Sequence, residues 1–199
     1  MFENMFENLR ADLDRALRQA RPPDWKPTLK HRLEVLLRHS TWPVLAYRYA
    51  RACQRVRVPG LRQGLLISAL IFRNVVEAFT SVHIDAGADI GPGLVVHSVY
   101  AINLGRVTIG ANFTISSGAL IAHTCRGIGN NVYFAAGAKV IGDTTIGNNV
   151  VVVANSVVVT DVRDNSMVLG VPARIRLPGG RPAEFFARSK KAPVADAKK

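Results

Sequence analysis

The sequence predicts a mainly β protein in which a parallel β-helix follows an α-helical segment. Aliphatic residues recur at every sixth position between residues 83 and 163. Glycines lie between many of them, where the corners of a coil need a permissive backbone. Such a hexapeptide repeat is typical of a parallel β-helix, in which three hexads form one coil. We therefore expect an α-helical segment at 1–82, the β-helix at 83–163, and a C-terminal segment with a basic tail at 164–199.

Four helices are expected in the N-terminal segment, and proline-containing stretches separate most of them. The apolar patterns place these helices at about 5–20, 29–39, 41–57 and 61–79. The fourth is apolar on most of its faces, and a helix of that kind is normally buried. We expect it to pack against the rest of the protein or against another subunit.

The repeat itself predicts which side chains point into the β-helix. One position of each hexad is aliphatic or aromatic, and the frame shifts by one inserted residue before Ile109 and again before Ile128. A run of thirteen hexads is long enough to bury a continuous core. The predicted inward residues are Ile84, Ile90, Val96, Ile102, Ile109, Ile115, Ile121, Ile128, Phe134, Val140, Ile146, Val152 and Val158.

Composition and charge argue against several classes of protein. The net charge is +12, but no basic stripe with interleaved aromatic residues is present, so nucleic-acid binding is not expected. The longest apolar stretch, 64–72, is about half as long as a membrane span and is followed by Arg73. The acidic first residues do not read as a signal peptide, which predicts a cytoplasmic protein without a membrane span.

Four segments of the repeat region and its end resemble a known family. They are 84–94, 136–142, 154–158 and 170–175, and the last of these, Gly-Val-Pro-Ala-Arg-Ile, is the most specific. These segments look like the hexapeptide acyltransferase superfamily, and within it they most resemble the serine acetyltransferases. The resemblance implies a left-handed β-helix, a homotrimer, and acyl-coenzyme A bound in clefts between neighbouring subunits.

The resemblance also implies a function. It points to an acetyl-coenzyme A-dependent O-acetyltransferase of the serine acetyltransferase type, which transfers the acetyl group directly to a small hydroxyl-bearing acceptor. The subunits would form a trimer, or a hexamer of two trimers joined by their helical segments. Two alternatives stay open: an acetyltransferase for a hydroxyl or amine of a sugar or natural product, and a catalytically inactive trimeric binding platform.

Histidine is the expected general base, because its ordinary pKa of about 6.5 lets it accept a proton near neutrality. Three histidines lie in the repeat region: His83, His97 and His123. The resemblance places Ser98 at the catalytic histidine of the serine acetyltransferases and His83 at the aspartate that orients it. His97 therefore stands one residue too early for that role, unless the chain slips by one residue at this coil.

His123 is the other candidate for the base. It lies in Ile-Ala-His-Thr-Cys, which resembles the histidine-bearing segment of the sugar N-acetyltransferases of the same superfamily, although Thr124 stands where those enzymes have an acidic residue. His123 lies two residues after its inward neighbour, as the base of the family does, whereas His97 lies one residue after its own. We therefore rank His123 before His97, and we expect the extra residue before Ile128 to make this corner bulge.

The resemblance assigns four residues to the coenzyme. The small residues Ala136 and Ala154 would face the pantetheine arm, where a short side chain allows close approach. Arg174 would meet the phosphates, and Lys139 would add long-range attraction.

Two other chemistries are not expected. Cys125 occupies an inward small position of its hexad, which predicts a buried structural thiol and not a nucleophile. Zinc, as in the β-helical carbonic anhydrases, would need a second histidine five residues after His123, where Ile128 stands. No metal is therefore predicted.

Overall fold

The computed structural model describes residues 3–18 and 28–178. Four helices lie in its N-terminal segment, as predicted, and they are α1 (Glu3–Arg18), α2 (Leu29–Leu37), α3 (Trp42–Gln54) and α4 (Pro59–Thr80). Pro59 begins α4, because a proline at the first helical position lacks only an N–H that would have no partner there. The predicted end of the first helix, 19–20, and the basic tail beyond 178 lie outside the described residues.

Fifteen short strands follow α4 in the described part of the chain. Most of them contain only two residues, one buried and one turned outward or partly covered. They are β1 (Val82–Ile84), β2 (Asp89–Ile90), β3 (Val95–Val96), β4 (Ile102–Leu104), β5 (Thr108–Ile109), β6 (Thr114–Ile115), β7 (Leu120–Ile121), β8 (Gly127–Ile128), β9 (Tyr133–Phe134), β10 (Lys139–Val140), β11 (Thr145–Ile146), β12 (Val151–Val152), β13 (Val157–Val158), β14 (Ser166–Leu169) and β15 (Arg174–Pro178).

The strands form three sheets, and successive strands of the repeat enter different sheets. Sheet A holds β1, β4, β7, β10 and β13; sheet B holds β2, β5, β8 and β11; sheet C holds β3, β6, β9, β12, β14 and β15. Neighbouring strands pair in parallel, except for the antiparallel pair β14–β15. The parallel β-helix is therefore confirmed, and β14 continues it beyond the boundary predicted at residue 163.

The core lies inside the three sheets and is built from the predicted inward residues. All thirteen are buried, with exposed fractions of 4% or less. Phe113 and Phe134 pack edge to face inside this core, with ring centroids 5.5 Å apart. Each fully buried aliphatic or aromatic side chain contributes roughly 1.5–3 kcal/mol of transfer free energy, so burial of these residues stabilises the stack of coils.

The first insertion in the repeat lies at a different place from the one predicted. Leu104, and not Ile102, pairs with the inward residues Ile84 and Ile121 of the neighbouring coils. The extra residues therefore belong to the corner between β3 and β4, and the corner between β4 and β5 is shorter in compensation. The predicted insertion between Ile102 and β5 is wrong, because both Ile102 and Leu104 point inward and the hexad pattern alone does not distinguish them. The enlarged corner is the one that carries His97.

Buried polar side chains attach the helical segment to the first coil. Asp12 of α1 accepts hydrogen bonds from the backbone N–H groups of Gly93 and Leu94, both at 2.7 Å. Asp12 also pairs with Arg48 of α3, whose Nε lies 2.8 Å from Oδ2. Burial raises the pKa of Asp12, while Arg48 and the two N–H groups oppose that rise. A buried ion pair adds little to the net free energy of folding. Removal of either partner is strongly destabilising, however, because the other charge is then left buried and unpaired.

Three side chains from the helices also hydrogen-bond to backbone groups of the same coil. The Tyr47 hydroxyl donates to the carbonyl oxygen of Ala88 at 2.9 Å and accepts from the N–H of Ile90 at 3.1 Å. Arg48 donates to the carbonyl oxygen of Ile90 at 2.7 Å, and Arg15 donates to that of Gly93 at 2.6 Å. The helical segment and the first coil are thus fixed to each other by directional contacts.

Helix α4 leaves most of its apolar surface uncovered on the single chain. Of its residues, Ala69, Val76 and Thr80 are buried. Within the chain, α3 and the first strand contact only one side of α4, so packing against another subunit is the part of the expectation that stays a prediction. None of the helices described is both long and apolar enough to cross a membrane. The exposed apolar residues of α4 are Leu61, Ile67, Leu70, Ile71, Phe72, Val75 and Phe79.

Candidate active site

The outer surface of sheet A carries two of the predicted site residues in one row. His83 of β1 and Lys139 of β10 occupy equivalent outward positions, because the strand register aligns them through Asn103 and Leu120. The row continues to Val157 of β13. Parallel strands lie about 4.8 Å apart, so the five strands extend over roughly 19 Å.

One edge of sheet A, where sheet C turns into it, is lined by small residues. We call this column of corner residues the alanine edge and define it as Ser98, Ser117, Ala136 and Ala154. Backbone hydrogen bonds hold its levels together: Gly137 N–H donates to Ser117 at 2.8 Å, and Asn155 N–H donates to Ala136 at 2.9 Å. Ala136 and Ala154 are exposed, and their short side chains allow a ligand to approach this edge closely. The two alanines assigned to the coenzyme therefore lie on successive levels of one column.

His97 lies beside the first level of the alanine edge. Its N–H donates to the carbonyl oxygen of Ile115 at 2.8 Å, and β3 pairs with β6 without any shift. The strand register up to His97 therefore contains no one-residue slip. Ser98, and not His97, lies two residues after the inward Val96, which is the position expected for the base of the family. The Ser98 hydroxyl oxygen accepts a hydrogen bond from the N–H of Ser117 at 3.0 Å, so Ser98 supports the corner.

A cleft of about 160 Å3 opens next to His97, between the helices and β3. Its walls include Leu13 and Leu17 of α1, Val44 of α3 and the buried Asp12. The imidazole of His97 is exposed at its rim. This cleft has room for a small group, but not for a whole coenzyme.

The opposite edge of sheet A, where sheet A turns into sheet B, is charged. We call this column the arginine edge and define it as His123, Arg126, Asp143 and Asp161. Arg126 donates from Nη2 to both carboxylate oxygens of Asp161 at 2.8 Å and from Nη1 to Asp143 at 3.4 Å. The N–H of Thr145 and the Arg126 guanidinium together hold the pKa of Asp161 below its ordinary value. Most hydrogen-bonding groups of this edge therefore bind each other.

The corner that carries His123 bulges, as predicted. Five residues, 122–126, separate β7 from β8, where other corners of this column have three or four. Gly105 of the coil below makes room for the bulge, because a Cβ there would lie only 2.8 Å from the backbone nitrogen of His123. His123 is exposed at this corner.

His83 has a carboxylate partner that the sequence analysis missed. Its Nδ1 atom lies 3.1 Å from Oε1 and 3.2 Å from Oε2 of Glu77, which stands in the last turn of α4. Both side chains are 37% exposed. One sequence feature was available to find this pair, since Glu77 is the one acidic residue in the apolar stretch that forms α4.

The remaining predicted residues lie around the last coils. Lys139 and Arg174 are exposed. The N–H of Ala173 donates to the carbonyl oxygen of Val157 at 2.7 Å, which places Arg174 next to the last strand of sheet A. Cys125 is buried, as predicted, and burial raises the pKa of its thiol. In the ranges 3–18 and 28–178, no three potential metal ligands come together.

Known proteins are similar to this chain in sequence. No family model matches it. A protein of Escherichia coli strain K12, assigned as the colanic acid biosynthesis acetyltransferase WcaB, is 36% identical over 156 residues, which are 71% of this chain and 96% of that protein. The serine acetyltransferase of Staphylococcus xylosus is 37% identical over 123 residues, which are 58% of this chain and 57% of that enzyme.

Solved structures are similar to it in fold. The serine acetyltransferase of Brucella abortus strain S19 superimposes with a TM-score of 0.71 at 24% identity, over 90% of this chain and 71% of that one. A serine acetyltransferase in complex with coenzyme A gives a TM-score of 0.71 at 22% identity, over 87% of this chain and 70% of that one. These structures confirm the predicted fold class, in which helices precede a β-helix.

Proposed function

Because the chain belongs to the hexapeptide-repeat acetyltransferases, in the group of the serine acetyltransferases and WcaB, we propose that it transfers an acetyl group from acetyl-coenzyme A to a hydroxyl group of a saccharide. The alanine edge carries this proposal. Its exposed Ala136 and Ala154 present bare backbone on successive levels, which suits an extended pantetheine arm with amide groups at intervals.

Cationic side chains at the end of this column suit the other half of the coenzyme. Arg174 lies beside the last strand of sheet A, and Lys139 stands on the face of that sheet. A guanidinium binds phosphate oxygens in a bidentate manner, while a lysine ammonium attracts them as a point charge. Support also comes from relatives, since coenzyme A is bound in solved structures of serine acetyltransferases. The phosphates would therefore lie near the last coils and the thioester near the first.

The choice of acceptor rests on the extent of the similarities. The match to WcaB, a protein named for the biosynthesis of a polysaccharide, extends over 96% of that protein. The chain spans just over half the length of the serine acetyltransferases that it matches, so their acceptor is the second candidate. A saccharide hydroxyl and the serine hydroxyl require the same chemistry, and the expected mechanism is the same for both.

In this proposal the acetyl group passes directly from the coenzyme to the acceptor, with a general base and without a covalent enzyme intermediate. A histidine takes the proton from the acceptor hydroxyl as its oxygen attacks the thioester carbonyl. The carbon–sulfur bond then breaks, and the coenzyme leaves as its free thiol after taking that proton. Cys125 is too deeply buried to hold the acetyl group on the way.

The proposal includes a homotrimer or a hexamer, because the coenzyme clefts of the family lie between subunits. The exposed apolar side of α4 supports this, since an apolar surface of that extent on a single chain normally marks an interface. We expect light scattering at micromolar concentration to give the mass of three or six chains. The mass of a single chain would refute the assembly.

Release of the coenzyme thiol tests the proposed function. Acetyl-coenzyme A is incubated with the purified full chain and, one at a time, hexoses, nucleotide sugars, amino sugars and serine, and free thiol is followed over time. We expect release above the hydrolysis background with a saccharide, and mass spectrometry should show one acetyl group gained by it. Release with serine alone would favour the second candidate. Tight coenzyme binding without release on any acceptor would favour an inactive binding platform.

A further inference from the structure

We infer that His83 is the general base of the proposed acetyl transfer and that Glu77 is the residue that positions it. The inference rests on the proposed function and names the histidine that the proposal leaves open. Nδ1 of His83 lies 3.1 Å and 3.2 Å from the two carboxylate oxygens of Glu77. An imidazole that faces a carboxylate in this way has a defined orientation and a defined tautomer.

The tautomer follows from the chemistry of the carboxylate. An ionised carboxylate accepts hydrogen bonds and donates none, so Nδ1 of His83 must carry the hydrogen that points at Glu77. In the neutral imidazole, Nε2 then has a free lone pair. This is the form of histidine that removes a proton from a hydroxyl, and the carboxylate next to it stabilises the imidazolium that results.

The other two histidines of the repeat region lack this arrangement. Within the described residues, the imidazoles of His97 and His123 have neither a hydrogen bond nor an ion pair with another side chain. Within the single chain, no side-chain partner therefore fixes which of their ring nitrogens carries the proton. A base held in one geometry before the substrate binds gives a larger rate enhancement than a freely rotating one. The sequence-based ranking of the candidate bases placed His123 first because it lies two residues after an inward residue. On the contact with Glu77, His83 ranks before both His123 and His97.

The position of His83 also suits the thioester end of the coenzyme. His83 points outward from β1, three strands from Lys139, which is a distance of about 14 Å along sheet A. The N–H of Tyr100 donates to the carbonyl oxygen of Thr80 at 2.9 Å, so the alanine edge begins at the turn that leads into β1. A coenzyme with its phosphates near Arg174 would direct its other end toward this coil.

The proposed step is a complete transfer. Nε2 of His83 takes the proton of the acceptor hydroxyl, and the oxygen forms a bond to the carbonyl carbon of acetyl-coenzyme A. The carbon–sulfur bond breaks, and its electron pair leaves on the coenzyme sulfur. His83 returns the proton to this sulfur, so the products are the acetyl ester and the free coenzyme thiol, with His83 neutral again.

Substitution of His83 tests the base. We expect His83→Ala to lower kcat by about 10²–10⁴, the usual contribution of a positioned general base, with KM for acetyl-coenzyme A changed by no more than a few-fold. Added imidazole should restore part of the activity of this variant. His83→Asn keeps an N–H donor toward Glu77 but has no base, so it should fold like the wild type and lose as much activity as His83→Ala. His39→Ala, an exposed histidine far from sheet A in sequence, is the matched control.

Substitution of Glu77 tests the positioning role. We expect Glu77→Gln to lower kcat about tenfold, the value of a charge-assisted hydrogen bond, without a change in KM. Glu77→Asp keeps the charge and should recover part of that loss. Glu34→Gln makes the same chemical change at an exposed position of α2 and should leave kcat unchanged.

The outcomes separate the inference from the proposed function. If the wild type releases thiol with an acceptor and His83→Asn keeps kcat within threefold, His83 is not the base and the inference is overturned while the function stands. A loss at His83 with none at Glu77 would overturn the pair as a unit. If the wild type transfers no acetyl group to any acceptor, the proposed function itself fails.

Discussion

Each edge of sheet A is a column of corners that recur once per coil, and the two columns carry different side chains: small ones at the alanine edge and charged ones at the arginine edge. The alanine edge has small side chains, and its exposed levels leave the backbone accessible. The arginine edge is occupied by its own charges, because Arg126 binds Asp143 and Asp161 from two higher coils. Backbone hydrogen bonds join successive coils at both edges, and the arginine edge adds ion pairs between its side chains.

This difference shows how a repetitive fold makes a site without an elaborate loop. A ligand that lies along a β-helix needs several successive corners that are free of large side chains. The arginine edge cannot offer that surface, because its guanidinium and carboxylates are already paired with each other. The alanine edge can; His97 lies beside its first level, and His83 lies on the outer face of sheet A at the first coil.

Among the tests that compare the two edges, the largest effect is expected from filling the alanine edge. Ala136→Trp should weaken acetyl-coenzyme A binding by about 100-fold, which corresponds to about 2.8 kcal/mol, because the indole would occupy the surface over which the pantetheine arm runs. Ala136 is exposed, so the fold should tolerate the change. Calorimetric titration with coenzyme A measures the affinity.

The same substitution on the arginine edge provides the comparison. Thr160 is exposed on the last coil of that edge, and Thr160→Trp should leave the affinity unchanged. Equal losses for the two tryptophan variants would mean that both edges face the coenzyme in the assembled protein, and the distinction between them would be lost.

The next largest effect is expected at the far end of the alanine edge. Arg174→Ala should weaken acetyl-coenzyme A binding about 10- to 100-fold, the value of a charged hydrogen bond to a phosphate. Arg174→Lys should recover only part of this, since an ammonium lacks the two parallel donors of a guanidinium. Unchanged affinity in calorimetry would remove Arg174 from the site.

A smaller effect separates the two corner histidines. His123 keeps the two-residue offset of the family base in the structure, whereas His97 directly follows Val96. With His83 as the base and the coenzyme along the alanine edge, we expect His97→Ala to lower turnover about tenfold, as for the loss of one hydrogen bond to a substrate, and His123→Ala, on the arginine edge, to lower it less. Steady-state thiol release measures both. A loss at either position larger than the loss at His83 would make that histidine the base.

The smallest effect concerns the stability of the arginine edge. The pKa of Asp161 is held below its ordinary value of 3.8, first by the N–H of Thr145 and also by Arg126. A depressed carboxyl pKa stabilises the folded protein above the ordinary pKa, and this contribution is lost as the pH falls through the folded-state value. Asp161→Asn should therefore lower Tm by about 1 °C at about pH 7 and by less at about pH 2, where this contribution is being lost. Scanning calorimetry at both pH values measures it, and a difference as large in acid as at neutral pH would contradict the assignment to this carboxylate.

The sequence was sufficient to predict the β-helix, because its core is specified locally. Each inward hexad residue contacts its equivalent one coil away, so a periodic pattern in the chain becomes a stack in space. The pattern failed at Ile102 and Leu104, where two buried residues alternate around one exposed Asn103 and either could hold the frame.

The parts that sequence reasoning missed depend on contacts between distant residues. Asp12 meets Gly93 and Leu94 across more than eighty positions, and no local pattern encodes that. Glu77 and His83 are only six residues apart, but they face each other because α4 ends and the chain turns at Ser81, whose φ of 51° is left-handed. The spacing of a helix or of a strand does not predict a contact that spans the junction between them.

The contacts of Asp12, Tyr47 and Arg48 with the first coil bear on whether one molecule can associate end to end with another. All three sheets end at this coil, and its backbone groups would be a template for the last coil of another molecule. Side chains from the helices hydrogen-bond to several of these groups, and the helices lie where an added strand would have to pair. The helical segment thus caps the first end of the β-helix and prevents end-to-end polymerisation. A truncated chain without α1 and α3 should be prone to form fibres.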